Sequence, residues 1–204
     1  MRNEIKFKFY QRDLLKVKEQ LIKSSFNWIY PKRLINNIYF DTSSKNSLND
    51  NIEGLKYRTK YRARWYGEFG LEDQKEICLE CKIKNNSLGW KKSIKIVFND
   101  DLKLKEKLSA ISNKIKIYES KRYMPVIINQ YSREYLENPN GTRITIDSNI
   151  KYFNYLNIKT VNDPNLILEV KFGVNHYFNF DFLKNLNLIA SKNSKFVNGI
   201  EAFL

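Results

Sequence analysis

The chain has 204 residues and a formal net charge of +14, and 42% of its residues are hydrophobic and 14% aromatic. This composition excludes a disordered chain, and the length fits one domain spanning residues 1–204 with a sizeable core. The excess of Lys and Arg favours a polyanionic partner, although a Lys-rich composition bias alone would produce the same total. The positions of the charged residues must therefore distinguish these two explanations.

Alternating polar and apolar residues predict strands, and apolar residues three or four apart predict helices. In the first half of the chain this gives, in order, a strand over 2–9, a helix over 11–23, strands over 34–41, 55–66 and 75–84, and a strand over 90–98. A turn at 85–89 makes the last two strands a predicted hairpin. Asp41, which ends its strand, is expected to cap the segment that follows.

The second half of the chain predicts a helix over 100–117, one long strand over 124–136 or a strand broken near Asn129, strands over 142–147 and 166–172, and a short helix over 179–189. The tail from residue 191 has no strong period. Together these elements predict a single α+β domain dominated by antiparallel strands.

The first six residues lack the apolar segment of a signal peptide, and no run approaches the ~18 apolar residues that cross a bilayer. We therefore expect a cytoplasmic protein, linked to a membrane only by a partner or by its basic surface. Cys78 and Cys81 form a C-x-x-C pair on a predicted strand, where residues three apart point to opposite faces. Metal or redox chemistry is not expected there, and His176 is expected to be structural or exposed.

Several predicted strands carry charged side chains on one face and apolar side chains on the other. The charged face of residues 55–66 carries Lys56, Arg58, Lys60, Arg62 and Arg64. Like charges in phase repel one another unless an anion or Glu side chains lie opposite. Glu and Lys alternate in the same way at 4 and 6, 80 and 82, and 169 and 171. The pattern predicts a closed antiparallel β-tunnel of about eight strands with a charged bore and helices packed outside, rather than a sheet whose charged face lies in water.

Nine short motifs follow one another along the chain in the order typical of a known family. They are Glu4-x-Lys6-x-Lys8, Tyr39-Phe40-Asp41, Arg62-x-Arg64-Trp65-Tyr66-Gly67, Glu80-x-Lys82, Lys92-Ser93-Ile94-Lys95, Tyr131-x-Arg133, Arg143-Ile144-Thr145-Ile146-Asp147, Leu168-Glu169-Val170-Lys171 and Ser194-Lys195-Phe196-x-x-Gly199. Over nearly its whole length the sequence resembles the vacuolar transporter chaperone (VTC) domain, one of the CYTH-like triphosphate tunnel metalloenzymes.

This resemblance implies transfer of the γ-phosphoryl group of ATP onto a growing polyphosphate chain, with Mn²⁺ or Mg²⁺ as the metal. It implies catalytic phosphate ligands at Arg62, Arg64, Lys82, Lys95, Arg133, Arg143 and Lys195. Further phosphate contacts are expected from Lys6, Lys8, Arg58, Lys60, Tyr131, Lys171 and Ser194. Glu169 is the implied metal ligand and Glu4 and Glu80 are further candidates, although Glu80 is expected rather to balance the charge of Lys82.

The first strand separates this chain from the hydrolase branch of the superfamily, which carries Glu-x-Glu-x-Lys there. Lys6 takes the place of the second Glu, which favours the polymerase over a triphosphatase acting on inorganic or organic triphosphate. A third hypothesis is a non-catalytic module that binds polyphosphate or another polyanion. No nucleic-acid partner is expected, because aromatic and basic residues such as Tyr57 and Arg58 take opposite faces. A separate membrane partner is a candidate to receive the product.

Overall fold

The computed structural model describes residues 2–86, 88–154, 159–173, 181–184 and 186–204. The expectation for His176 lies outside these residues. Of the short helix expected over 179–189, the described residues show a 3-10 turn at Asp181–Leu183. No helix in the described part of the chain is long and apolar enough to cross a membrane.

Ten strands and four α-helices are present in the described residues. The strands are β1 (Arg2–Tyr10), β2 (Asn27–Asp41), β3 (Tyr57–Tyr66), β4 (Glu76–Asn85), β5 (Leu88–Val97), β6 (Met124–Glu137), β7 (Arg143–Asn154), β8 (Thr160–Asp163), β9 (Asn165–Gly173) and β10 (Ile189–Ala190). The helices are α1 (Leu14–Lys23), α2 (Asn46–Ile52), α3 (Leu104–Lys116) and α4 (Lys195–Glu201).

The strands form one mostly antiparallel sheet in the order β10-β1-β9-β7-β6-β2-β3-β4-β5, and β8 pairs with β7. The α+β class and the antiparallel sheet are therefore confirmed, as is the hairpin of β4 and β5. The hydrogen-bonded path is not strictly closed in the described residues, since it ends at β10 and β5. β5 is a mostly exposed strand rich in Lys, a composition that protects a sheet edge against further pairing.

The chain divides into two compact units, each assembled from separate stretches of sequence. The first unit consists of Met1–Leu34, Tyr131–Lys151 and Asn162–Ser194, and the second of Ile35–Gln130, Tyr152–Val161 and Lys195–Leu204. The expectation of a single domain stays a prediction.

In the first unit, α1 packs its apolar stripe against the apolar face of the sheet. Val17 and Leu21 of α1 are fully buried with Phe9, Leu136 and Leu168. These positions in β1 and β9 alternate with charged residues, so the opposite face of the same strands carries the charges.

In the second unit, α3 packs its apolar side chains against the apolar face of β3 and β4. Ile111 and Ile115 of α3 pack with Ala63, Trp65 and Leu79. The helix begins at Leu104, four residues later than expected, because Glu106 accepts a hydrogen bond from the Lys103 N–H at 2.8 Å and supplies the acidic first turn.

Helices α2 and α4 were missed because both are only seven residues long and have no helical period of their own. Asp41 accepts hydrogen bonds from the backbone N–H groups of Thr42, Ser47 and Leu48 at 2.7–3.0 Å. It therefore fixes the start of α2, which confirms the expected capping role. Burial raises the pKa of this carboxyl despite these three donors.

Candidate functional site

The strand register in the second unit brings the predicted basic residues onto one face. Residues directly opposite on neighbouring strands share a face. One row across β2, β3, β4 and β5 therefore contains Tyr39, Arg62, Glu80 and Ser93. A second row contains Asn37, Arg64, Cys78 and Lys95, a third Lys60, Lys82 and Lys91, and a fourth Arg58 and Lys84.

Glu80 is the buried acid at the centre of this face. It accepts a hydrogen bond from Arg62 Nε at 2.6 Å, lies 2.5 Å from Arg62 Nη2, and accepts a second hydrogen bond from Lys91 Nζ at 2.6 Å. Burial alone would raise the pKa of Glu80, but Arg62, Arg64 and Lys91 overcome this effect and lower it to about 2. Glu80 thus orients cations, and it balances the charge of Arg62 and Lys91.

Arg64 is held by a buried amide chain that the sequence analysis did not identify. Asn37 Oδ1 accepts a hydrogen bond from Arg64 Nε at 2.8 Å, and Asn37 Nδ2 donates to Asn129 Oδ1 at 2.8 Å. Asn37 and Asn129 are both 0% exposed. Because Nε is held by a neutral acceptor, the positive charge of Arg64 is not cancelled by this contact.

The row of Lys60, Lys82 and Lys91 places like charges directly opposite one another. Such pairs are destabilising in a sheet unless a counter-charge is near. Lys91 was missed by the sequence analysis, although the alternation from Lys95 through Ser93 indicates that it shares their face. The row has the charge pattern expected of a surface that binds an anion.

The remaining second-unit residues lie toward the margins of this face. Lys95 is 63% exposed and pairs with Glu76, and Arg58 donates to the backbone oxygen of Leu55. Lys195 is the first residue of α4, whose Phe196 packs against Tyr39 with the ring centroids 5.3 Å apart. Lys95 and Lys195, like the other predicted phosphate ligands, stay predictions.

Cys78 lies in the row of Arg64 and Lys95, whereas Cys81 is opposite Tyr61 on the apolar side. The two thiols therefore point to opposite faces as expected, and both are free. Burial raises the pKa of Cys81, which leaves it a neutral thiol near neutral pH.

The first unit has its own charged face, built on β1, β9 and β7. One row contains Lys6, Glu169 and Thr145, the next contains Glu4, Lys171 and Arg143, and a third contains Lys8, Ile167 and Asp147. All the predicted first-strand and β9 ligands therefore lie on the same side of the sheet.

The Lys6 ammonium lies between two carboxylates. Its Nζ is 2.6 Å from Glu4 Oε1 and 3.7 Å from Glu169 Oε2, while Lys171 Nζ is 2.5 Å from Glu169 Oε1. Burial would lower the pKa of Lys6, but Glu169 and Glu4 raise it overall. Burial would likewise raise the pKa of Glu169, but Lys6, Lys171 and Arg133 hold it well below its usual value.

Arg133 of β6 makes a forked ion pair with Asp147 of β7. Its Nε and Nη2 donate to the two carboxylate oxygens at 2.5 and 2.7 Å, and Asp147 is 0% exposed. The Tyr131 ring lies under the guanidinium, 5.2 Å from its carbon. Two of the donor groups of Arg133 are thus committed to Asp147, which orients the guanidinium.

Arg143 and Ser194 lie at the edges of the first-unit cluster. Arg143 is 45% exposed and donates to Glu137 at 2.8 Å. Ser194 ends the first unit, directly before α4.

The donor set of these clusters bears on whether a divalent metal fits. No group of three or more His, Cys, Asp or Glu side chains in the described residues is arranged to hold one. Both oxygens of Glu169 already face ammonium groups. A hard cation can nevertheless be held by one or two carboxylates when phosphate oxygens and water supply its other ligands. Glu169 and Glu4 fit that mode, in which the cation arrives with the phosphate.

Solved structures share this fold. A candidate adenylate cyclase from Bacillus halodurans has a TM-score of 0.59 at 14% identity, with 100% of this chain and 97% of that chain covered. HpAC1 from Hippeastrum, a candidate adenylyl cyclase with a dominant triphosphatase activity, has a TM-score of 0.56 at 12% identity over 100% and 97%. The PH1819 protein from Pyrococcus horikoshii OT3 has a TM-score of 0.50 at 13% identity over 98% and 99%.

At these identities the likeness shows the fold alone, which is the CYTH-like triphosphate tunnel fold. No curated protein sequence matches this chain. A family profile described as the VTC domain matches residues 1–204, the full length of the sequence. The chain therefore belongs to the VTC domain family.

Proposed function

We propose that this protein is a polyphosphate polymerase that transfers the γ-phosphoryl group of ATP onto the end of an inorganic polyphosphate chain. Family membership and two clusters of cations on charged sheet faces support this proposal. Phosphoryl transfer needs little covalent help, because its barrier falls when charge is neutralised and the attacking and leaving oxygens are held in line.

The observation that carries the proposal is that two buried carboxylates, Glu80 and Glu169, are surrounded by cations. Glu80 accepts hydrogen bonds from Arg62 and Lys91, and the two oxygens of Glu169 face Lys6 and Lys171. These cations lower the pKa of both carboxyl groups. A base with so low a pKa is poorly suited to taking a proton from water. The end of a polyphosphate chain is already ionised, so it can attack the γ-phosphorus without a base.

In this reaction a terminal oxygen of the polyphosphate forms a bond to the γ-phosphorus of ATP, and the bond to the β–γ bridging oxygen breaks. ADP leaves with that electron pair. Arg62 and Arg64 would bind non-bridging oxygens of the transferred group through the guanidinium N–H groups that do not face Glu80 or Asn37. Lys82 and Lys91 would neutralise the neighbouring phosphates. In the first unit, Lys6, Lys171 and Arg133 would hold phosphate oxygens in the same manner.

A divalent cation, Mn²⁺ or Mg²⁺, would supply additional neutralisation of phosphate charge if it is carried in with the substrate. Glu169 and Glu4 are the residues that would contact it. A cytoplasmic location and a separate membrane partner stay predictions.

A triphosphatase is the alternative in the same fold. The dominant triphosphatase activity of HpAC1 favours it, as does the presence of two carboxylates, Glu4 and Glu169, near the Lys6 ammonium. It predicts release of inorganic phosphate from tripolyphosphate or ATP without long products.

The test is to incubate the purified chain with ATP and Mn²⁺, and to separate the products on a polyphosphate gel. A variant with Arg62→Ala and Arg64→Ala is run in parallel. The matched control is Lys121→Ala with Arg122→Ala, which also removes one pair of neighbouring cations from exposed positions in the second unit.

A ladder of long chains in the wild type and the control, lost in the Arg62/Arg64 variant, supports the polymerase. Phosphate release without a ladder, equally sensitive to the variant, supports the triphosphatase. If neither product forms, and ATP and tripolyphosphate still bind, the chain is a binding module.

A further inference from the structure

An exposed tyrosine, a half-buried tyrosine and an arginine form a compact group in the first unit. The rings of Tyr30 and Tyr135 meet edge to face at 89°, with centroids 5.8 Å apart. The guanidinium carbon of Arg33 lies 5.1 Å from the Tyr30 centroid and 5.7 Å from that of Tyr135. The combination of aromatic faces with a planar cation is the chemistry that binds a nucleobase by stacking.

The group does not belong to the core of the first unit. Residues 27–34 of β2 are all exposed, and Tyr30 is 49% exposed. The pairing of β2 with β3 begins only at Ile35. Trp28, which is 44% exposed on the same segment, instead donates its indole N–H to Glu134 at 3.0 Å. Trp28 therefore contacts Glu134, whereas Tyr30 contacts the next residue of β6, Tyr135.

Tyr135 lies on the charged face of the sheet. The ion pairs Arg133–Asp147 and Arg143–Glu137 flank it, and in an antiparallel pair these contacts set Tyr135 opposite Thr145. Thr145 is opposite Glu169, and Glu169 is opposite Lys6. Tyr135 therefore shares a row with the carboxylate–ammonium cluster and lies two strands, about 10 Å, from Glu169.

Thr145, between Tyr135 and Glu169, supplies a second observation. It is 6% exposed, and its hydroxyl Oγ1 is buried with no hydrogen-bond partner among the described residues. A buried hydroxyl without a partner is unfavourable unless a ligand or water completes it. A ligand lying along this row would meet, in order, a cationic cluster, a free hydroxyl and an aromatic pair.

We propose that Tyr30, Tyr135 and Arg33 bind the base of a nucleoside triphosphate whose phosphates lie on Lys6, Lys171 and Arg133. The Thr145 hydroxyl then bonds the sugar or the α-phosphate. This inference rests on the proposed function, because it extends the same phosphate site to a nucleoside. It predicts that the protein binds ATP more tightly than an inorganic triphosphate of similar charge.

The experiment is calorimetric titration of the full chain with ATP and, separately, with inorganic tripolyphosphate at the same pH, salt and Mg²⁺ concentration. The variants are Tyr30→Ala, Tyr135→Ala and the conservative pair Tyr30→Phe and Tyr135→Phe. Trp28→Ala is the matched control, since it removes an exposed aromatic side chain of the same segment that contacts Glu134 rather than Tyr135.

Each Tyr→Ala substitution should weaken ATP binding about 5- to 10-fold, the effect of losing one base-stacking contact. Tripolyphosphate affinity should stay within twofold of wild type, which also shows that the variants are folded. The Tyr→Phe variants should retain ATP affinity because they keep the ring, and Trp28→Ala should change neither affinity.

The inference is overturned if the Tyr→Ala variants bind ATP with wild-type affinity. It is equally overturned if their affinities for ATP and for tripolyphosphate fall together. It is also overturned if the wild type binds the two ligands equally. A wild-type protein that does not bind tripolyphosphate at all is a different result. It overturns the proposed function itself and the nucleoside site with it.

Discussion

The charged faces of the two units differ in how their charges are balanced within the protein. In the first unit, three acids meet three cations in close pairs: Lys6 with Glu4 and Glu169, Lys171 with Glu169, and Arg133 with Asp147. In the second unit, Glu80 is the buried acid on a face that contains Arg58, Lys60, Arg62, Arg64, Lys82, Lys84, Lys91 and Lys95.

This difference has a physical consequence for each face. Buried and partly buried ion pairs in the first unit hold their side chains in place without a ligand, at a cost in desolvation that the pairing offsets. The excess of cations in the second unit leaves a strong positive potential that attracts a polyanion. The first unit is therefore expected to depend on its ion pairs for stability as well as for binding, and the second to use its cations mainly for binding.

Breaking the Arg133–Asp147 pair should produce the largest effect on stability. Arg133→Leu removes the forked ion pair of a fully buried carboxylate, and we expect a loss of about 3–5 kcal/mol in the free energy of unfolding, measured by urea denaturation. The double variant Arg133→Leu, Asp147→Leu should recover much of that loss. A loss below about 1 kcal/mol in the single variant would show that the pair does not stabilise the first unit.

Reversing one charge in the lysine row of the second unit should act on binding instead. Lys82→Glu should lower tripolyphosphate affinity about 10- to 100-fold, since it removes an attractive charge and adds a repulsive one. It should also make binding less sensitive to salt. The exposed second-unit residue Lys121, changed to Glu, is the control. An equal loss in both variants would mean that net charge, rather than the row, governs affinity.

The Lys6→Glu substitution tests the balance between positive and negative charges in the first unit. It should place a third carboxylate beside Glu4 and Glu169, where carboxylate oxygens favour a hard cation. We expect roughly tenfold tighter Mn²⁺ binding by calorimetry without nucleotide, together with less polymer and more free phosphate. Lys171→Glu, which reverses a neighbouring charge in the same cluster, is the comparison variant. Unchanged Mn²⁺ affinity in Lys6→Glu would show that the Lys6 ammonium does not limit cation binding at Glu4 and Glu169.

The smallest predicted effect concerns Glu80 and pH. Its pKa is about 2, below the usual value of 4.5, because nearby cations overcome the effect of burial, so the ionised form stabilises the fold. That contribution is fully present above about pH 4.5 and is lost as pH falls toward 2. Wild type and Glu80→Gln should therefore differ most in unfolding free energy near pH 6, and the gap should narrow by pH 3. A gap that stays constant would show that Glu80 acts only by packing.

Much of the candidate site could be predicted because alternation along a strand fixes which side chains share a face. The separation of Arg62 and Arg64 from Ala63 and Trp65 is visible in the sequence. It is confirmed by the contacts, because Ala63 and Trp65 pack with α3 whereas the two arginines bond to Glu80 and Asn37. The same rule would have found Lys91 from Lys95. It could not find Asn37 or Asn129, because a buried amide chain has no period and its partners are 92 residues apart.

The exposed aromatic segment was also beyond sequence reasoning. Trp28, Ile29 and Tyr30 resemble the start of a buried strand, yet that part of β2 is exposed. Exposure depends on which neighbouring strand covers a segment, and β3 reaches only as far as Ile35. Such coverage is set by pairings between distant parts of the chain.

By itself the sequence determined the family, the antiparallel strands and the charged faces, since these follow from ordered motifs and from a local period of two residues. Only the tertiary structure decided which charges pair: Glu80 with Arg62 and Lys91, Lys6 between Glu4 and Glu169, and Arg133 with Asp147. The reason is that the energy of an ion pair depends on separation and burial, and both are set by strand register rather than by position along the chain.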